Sequence, residues 1–492
     1  MKLSRLICGI VLGGSLIVGP AGGAFANDED LSAIVKGLQK QIAAQNQRIQ
    51  QLETMVAKSP GVSVSQLEQD VALLKRQRGV DQEVQMDLLK QNLEAPVVTA
   101  SKEGFSLKSQ DGNFLLKLRG LVQTDGRFFG NEGTPPAVNT FLIRKARPIL
   151  EGTLYKYFDF KIMGDFAPSI SVSGTSGAPI LVDAYADFTY WKAASLRAGK
   201  FKSPIGLERL QPDTVNAFPE LSLVSNLVPN RDVGIDLHGD LFYDRVSYDL
   251  GVFNGAVDFA TNDTDNKDDK DFVGRVFIKP FKYSTNVWLS GLGMGFAGSF
   301  GASHSPTLPS YKTFGQQTFF TYASTVSANG KRFRLAPQLY YYNGPFGLMS
   351  EFVQSTQDLY VSGARSGSSA FKNMAGQLTV SYVVTGENAS YNGVIPKNDF
   401  NPGKGKWGAF ELVGRTDFFN ADKKNLTRFA NLSSSARRAT GWGLGFNWYL
   451  NKNLKFSTGF EETFLDAGGL TKYGTQTRPI ENAFISRVQV AF

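Results

Sequence analysis

The segment FLIRKARPILEG, residues 141–152, sets Arg144, Lys145 and Arg147 within four positions of an otherwise apolar run. Cations so close together bind oxyanions, because a guanidinium offers a fork of donors and an ammonium a mobile point charge. If the segment is a strand, Lys145 and Arg147 share a face and Arg144 points the other way, unless a bulge or a strand end intervenes. Catalytic constellations are missing: His238 and His304 are the only histidines, and neither has the spacing of a hydrolase triad or a zinc site. His238 reads as a polar lumen or turn residue and His304 as a loop residue. The expected activity is therefore not enzymatic, with no cofactor, no metal and no nucleic acid.

What holds those cations must be inferred from the rest of the 492 residues. Lys2 and Arg5 precede an apolar run from Leu6 to Val18, and Ala24-Phe25-Ala26 follows. This order is that of a secretory signal covering 1–26, too short to span a bilayer. Cys8 is the single cysteine and would leave with the signal, so disulfides and thiolate metal sites are not expected in the exported chain.

After Phe25 the next aromatic residue is Phe105, which marks a boundary. Within 27–100, Leu31, Val35, Leu38, Ile42, Gln45, Ile49, Leu52 and Val56 alternate at spacings of four and three. This is a heptad stripe with β-branched residues at one core position and mostly Leu at the other, so a periplasmic coiled coil is expected. Ser59-Pro60-Gly61 interrupts it, and Leu67, Val71 and Leu74 continue more weakly until the pattern blurs near Gly79. These core positions favour dimers by themselves.

From about Phe105 the period changes to two. Phe114, Leu116, Leu118 and Val122 oppose Lys117, Arg119, Gln123, Asp125 and Arg127. Trp442, Leu444, Phe446, Trp448 and Leu450 alternate likewise, and so do Val233 to Leu241. The last run, AFISRVQVAF, puts Phe484, Val488, Val490 and Phe492 on one face. An aromatic at the end of an amphipathic strand, behind an export signal, predicts an outer-membrane β-barrel, whose closed sheet leaves no backbone group unpaired in lipid. Residues 103–492, at about 24 residues per strand with its connections, give about sixteen antiparallel strands, wide enough for an aqueous channel. The fold class is thus all-β, a sixteen-stranded transmembrane barrel preceded by a helical coiled-coil segment.

Charge is divided unevenly. Residues 27–100 hold 8 Lys and Arg against 10 Asp and Glu, and the signal holds two cations, so the body carries the whole net +8. A basic lumen concentrates anions. An Arg facing lipid at mid-bilayer would cost about 2–4 kcal/mol, so Lys117, Arg119, Arg127, Lys145 and Arg147 are expected to face water.

FLIRKARPILEGTLYKYFDFKIM (141–163), LRAGKFKSPIGLERLQPD (196–213), NLVPNRDVGIDLHGDL (226–241), LPSYKTFGQQTFF (308–320) and WGLGFNWYLN (442–451) resemble, in order, the phosphate-selective porin O and P family. The resemblance implies a homotrimer of sixteen-stranded barrels, each with its third extracellular loop folded into the lumen. It implies anion-binding roles for Arg144 and Lys145 of the second strand, Asp183 of the fourth, Arg197 and Lys200 of the fifth, and Arg209 beyond the GLE turn. Arg147 and Lys202 stand where characterised phosphate channels have aromatics, and Leu221 stands where an Arg often follows Glu. Two added cations suit pyrophosphate or polyphosphate as well as inorganic phosphate.

The expected function is passive diffusion of phosphate-type anions across the outer membrane of a Gram-negative bacterium. The partners are those anions, outer-membrane lipid, sister subunits and, through the coiled coil, peptidoglycan. The competing expectation is a general or sugar-permeable porin, which calls for an aromatic slide along the lumen; the sequence displays no such strip.

Overall fold

The computed structural model describes residues 64–492 except 103, 131–136, 168–178, 262, 264–267, 364–365 and 467–478, together with scattered helical positions between 40 and 54. The chain divides into two compact units, Met1–Glu94 and Ala95–Phe492. In the first, helix α1 (Val64–Glu94) continues through Gly79 and beyond the point where the heptads blur. Its Lys75 pairs with Glu53 at 2.8 Å. Of the eight heptad positions from Leu31 to Val56 only Ile49 is among the described residues; the signal, the remaining stripe and Ser59-Pro60-Gly61 lie outside them.

The second unit starts with a hairpin, β1 (Val97–Ser101) and β2 (Gly104–Lys108), laid along the start of β3. Sixteen strands then follow in a meander: β3 (Leu115–Phe129), β4 (Thr140–Leu154), β5 (Phe158–Asp165), β6 (Ile180–Trp191), β7 (Ala194–Phe201), β8 (Asp232–Leu241), β9 (Val246–Phe253), β10 (Asp271–Ile278) and β11 (Leu292–Ser305) form the first part. A small hairpin, β12 (Tyr311–Lys312) and β13 (Thr318–Phe320), interrupts the series. It resumes with β14 (Val326–Asn343), β15 (Phe346–Val361), β16 (Gly367–Val383), β17 (Ala409–Asn420), β18 (Arg438–Tyr449), β19 (Leu454–Asp466) and β20 (Ile480–Ala491). β20 pairs antiparallel with β3, from Ala483 opposite Phe129 to Ala491 opposite Leu121, which closes the barrel. Beyond it the Phe492 amide donates to the Gly120 carbonyl at 3.1 Å, and the Phe492 ring fills the space a Gly120 side chain would take.

The two-residue period sorts the faces as the alternation predicts. Phe114, Leu116, Leu118, Val122, Trp442 and Leu444 lie exposed on the outside, whereas Gln123, Asp125 and Arg127 are buried within. Strand ends differ in kind. One end of the barrel carries eight connections, among them 202–231, 254–270 and 421–437; the other carries mostly tight turns such as 155–157, 192–193 and 344–345. Two connections at the tight end are longer, 279–291 with a short helix (Val287–Ser290) and, longest of all, 384–408. Residues 389–394 of the latter return into the barrel, where the Ala389 amide donates to Gly344 O at 2.8 Å and Tyr391 bonds the third long loop.

Arg144 is the residue that breaks alternation, and the strand register explains it. Gln123 pairs with Lys145 and Thr124 with Ile143, which leaves Arg144 as the extra residue of a β-bulge. Phe141 and Ile143 point outward before the bulge and Pro148 after it, so the parity switches at Arg144. Arg144, Lys145 and Arg147 therefore all turn to the lumen. A second register shift, where Met163 pairs with Asp183 and Gly164 with Leu181, leaves Val182 unpaired and aims Asp183 inward.

Candidate functional site

The long loop 202–231 folds into the barrel because its own sequence supplies a second apolar core. Ile205, Leu207, Val224, Leu227 and Val228 have no exposed surface, and Leu223 has 2%. Strand carboxylates then cap its amides: Glu351 accepts from the Leu207 and Glu208 amides at 2.5 and 3.0 Å, and Asp417 accepts from the Leu223 amide at 2.9 Å. Arg415 completes the anchor. Its guanidinium donates to Glu461 at 2.6 Å and to the Glu220 carbonyl at 3.0 Å, lies 3.4 Å from Glu208, and sits 4.4 Å over the Phe218 ring.

The anchored loop delivers two carboxylates to the strand cations. Asp213 receives Lys145 at 3.0 Å, Lys202 at 3.7 Å and Arg147, whose Nε also donates to Asp165 at 2.7 Å. Burial favours protonated Asp213, but Lys145, Lys202 and Arg147 overcome it and hold the carboxyl well below its usual range. Glu220 receives Arg127 and Arg144 at 2.6 Å each and Arg487 at 3.1 Å. Here too burial is outweighed, by Arg144 and Arg127, and the Glu220 carboxyl is held low.

The expected site residues are thus only partly gathered. Lys145, Arg147 and Lys202 converge on Asp213. Arg144 belongs to the neighbouring Glu220 group, together with Arg127 and Arg487. Asp183 takes Arg231 at 3.1 Å and Lys161 at 3.7 Å. Arg197 stands apart on Asp187, 2.6 Å away, stacked 4.7 Å over Tyr185 and with His238 on the same carboxylate at 3.0 Å. Arg209 belongs to the loop itself, donating to Ser225 O at 2.8 Å and packed 5.4 Å over Phe259, with no carboxylate partner among the described residues. Lys200 shares a strand face with Ala184 and Ala198, opposite to Arg197; its ammonium reaches Leu181 O and Asp263. The period of two separates it from Arg197, three positions away.

The residues that the sequence reading passed over are Asp213, Glu220, Arg231, Arg415 and Arg487. Asp213 ends a quoted segment and Glu220 stands in Pro219-Glu220-Leu221, yet no local pattern marks either as the partner of cations on β4. The other histidine, His304, is exposed and bonds Asp269 at 2.8 Å.

Beneath this cluster opens a cavity of about 610 Å³. Arg147, Lys202, Asp213, Arg231, Asp183, Lys161 and Arg197 line it. Counted over its whole lining, nine Lys and Arg face five Asp and Glu, a balance of +4. A second cavity of about 420 Å³ lies on the other side of the inserted 389–394 segment. Phe277, Tyr340, Tyr342 and Tyr391 gather there in a local aromatic patch.

Lys202 gives the first cavity a pH dependence. Burial lowers this ammonium to about 7, against the pull of Asp213 and with Arg231 and Arg209 adding to the depression. A depressed lysine is charged below its folded value and neutral above it, so acidification from pH 8 to pH 6 adds a positive charge to the lining. Anion-over-cation permeability, read from reversal potentials in a salt gradient, is expected to be higher at pH 6. The Lys202→Met protein is expected to show a smaller change; an equal pH response in both proteins would remove Lys202 as a source of it.

The family described as phosphate-selective porin O and P matches residues 116–462, well over half of the chain. Among curated proteins, Porin O of Pseudomonas aeruginosa is 23% identical over 406 residues, covering 76% of this chain and 88% of that protein. Among solved structures, the outer membrane channel DcaP of Acinetobacter baumannii shares the barrel fold, with a TM-score of 0.50 and 11% identity over 79% of this chain and 99% of that one. The anion-selective porin from Comamonas acidovorans aligns with a TM-score of 0.49 and 12% identity, covering 77% and 100% of the two chains.

Proposed function

Because the chain belongs to the phosphate-selective porin O and P family, we propose that this outer-membrane porin is an anion-selective channel for phosphate, pyrophosphate or short polyphosphates. The observation that carries this reading is the lining of the larger cavity, with nine cations against five carboxylates. Such a surplus raises the local anion concentration, while carboxylates shared among several cations leave those cations able to exchange partners. Asp213 is central to that exchange. It spreads one negative charge over three cations, so an arriving phosphate displaces a carboxylate instead of meeting bare, costly buried charges.

Within the proposed path, Lys145, Arg147 and Lys202 hold the anion around Asp213, and Arg231 with Lys161 continues the basic wall next to Asp183. Arg197 contributes to the vestibule. Arg144 acts through Glu220 by fixing the loop edge, Arg209 braces the third loop through Ser225 O, and Lys200, held by Leu181 O and Asp263, does not touch the anion. Binding must remain weak enough to release, since the channel has no energy source.

Planar-bilayer recordings test the proposal. Reversal potentials are expected to follow the chloride gradient, and added phosphate or pyrophosphate is expected to reduce chloride current in a saturable way. Equal permeability to potassium and chloride, without block, would sink the reading and leave a general diffusion pore.

A further inference from the structure

The smaller cavity has a different chemistry from the phosphate path. It is bounded by β10 and β14 on the barrel wall, by Leu207 of the third loop, and by Tyr391 of the inserted 384–408 connection. Phe277 and Tyr340 lie against the wall because the neighbouring strand has no side chain there: a Cβ on Gly293 would come within 2.6 Å of the Tyr340 ring and 2.7 Å of the Phe277 ring. The two rings sit 5.0 Å apart, tilted by 33°. Tyr391 stacks on Tyr340 at 5.4 Å and 25°, and Tyr342 adjoins at 5.3 Å.

Polar groups complete the cavity. The Tyr391 hydroxyl is committed to Leu207 O at 2.7 Å. The hydroxyls of Tyr340 and Tyr342 have no hydrogen-bond partner among the described residues, whereas the lining serines are engaged: Ser247 donates to Asp240 at 2.6 Å, Ser290 donates to Val287 O at 2.9 Å, and Ser390 accepts from the Asn392 amide at 3.0 Å. Two cations line the same cavity. Arg275 is fixed 5.0 Å over Phe277 and bonded to Gln338 at 3.1 Å, with Asp249 at 3.4 Å. Lys279, just past the end of β10, has no ion-pair partner among the described residues.

We propose that this cavity is a second binding site, for sugar phosphates: the half-buried tyrosine cluster takes the sugar ring on the ring surface it leaves open, the hydroxyls of Tyr340 and Tyr342 its hydroxyl groups, and Lys279 with Arg275 the phosphate. A pyranose ring presents C–H groups to an aromatic face and hydroxyls at its rim, so stacked rings edged with hydroxyls match it. Inorganic phosphate has no such face and gains nothing from Tyr340 or Tyr391. A neutral sugar gains nothing from Lys279. The cavity volume of about 420 Å³ lies in the range of small-molecule sites. This site is separated from the Asp213 cluster by the inserted segment, and it stands whether or not phosphate binds there.

The test compares blockers of chloride current through the full-length channel in planar bilayers. Glucose 6-phosphate is expected to block the unmodified channel, and glucose to block it far less. In a channel carrying Tyr340→Ala and Tyr391→Ala, the half-blocking concentration of glucose 6-phosphate is expected to rise about fivefold or more, the loss of ring stacking. Block by inorganic phosphate is expected to stay unchanged. If glucose 6-phosphate blocks both channels equally, or if its block falls in step with that of inorganic phosphate, the site is overturned. Should the double variant fail to form channels, Tyr342→Phe and Lys279→Gln carry the test, since each removes a group without a partner. Each is expected to weaken glucose 6-phosphate block alone, and no effect from either overturns the proposal.

Discussion

Removing Arg147 and Lys202 together as alanines is expected to weaken phosphate block more than tenfold and to turn the inner cluster from basic to acidic. At pH 6, where Lys202 is charged, Lys145, Arg147 and Lys202 face Asp213 and Asp165 in the native protein, a local balance of +1. Without two of the cations the balance becomes −1. A tenfold loss of anion binding corresponds to about 1.4 kcal/mol, and two unit charges a few ångström from a bound anion exceed that at any protein-like dielectric. The half-blocking phosphate concentration is therefore expected to rise more than tenfold, with reversal potentials shifted toward the potassium gradient. Asp213→Asn gives the opposite sign, a balance of +2 and tighter block. Both variants behaving as the native channel would place the phosphate path elsewhere.

The second large effect concerns Arg415. It is buried against Glu461, Asp417 and Glu208 and holds the third loop by the Glu220 carbonyl. Arg415→Ala leaves three buried carboxylates without their shared cation. Breaking a buried pair from one side costs about 3–5 kcal/mol, less whatever the carboxylates recover by taking up protons. The loss falls on the loop anchor, so two readouts should move together. Folded-barrel resistance to heat in detergent is expected to drop, and single-channel conductance is expected to rise as residues 202–231 leave the lumen. Arg415→Lys, which keeps the charge without the fork, is expected to recover part of the stability. An unchanged conductance would show that the loop is held by its apolar contacts alone.

Both experiments turn on contacts that the sequence did not announce. The strands themselves were legible, since alternation over as few as eight residues states which face meets lipid, and Lys117, Arg119, Arg127, Lys145 and Arg147 all lie on the wet side as expected. The count of sixteen followed from chain length divided by strand and loop size. Arg144 shows where that reading stops. Its inward turn depends on one unpaired residue in the register with β3, and the same segment would read identically without the bulge.

Counter-charges were harder still. Asp213 and Glu220 sit 66 and 76 residues beyond Arg147 and Arg144, so the pairing exists only once the loop has folded back. The resemblance put six residues in one anion site and the departures from it added Arg147 and Lys202, whereas the fold distributes the eight: three around Asp213, Arg144 on Glu220, Asp183 on Arg231 and Lys161, Arg197 on Asp187, Arg209 on Ser225 O, and Lys200 on the opposite face of its strand. The connection 384–408 gave no sign that it returns into the lumen, because Gly, Ser and Asn residues mark a turn wherever it goes.

The sequence by itself determined the period-two strands, their number, the basic body and the family pattern, since each is local or additive along the chain. Tertiary structure alone decided which cations keep a free charge. A cation's availability depends on the carboxylate that reaches it, and closure of the sheet and insertion of two loops bring those carboxylates from distant parts of the chain.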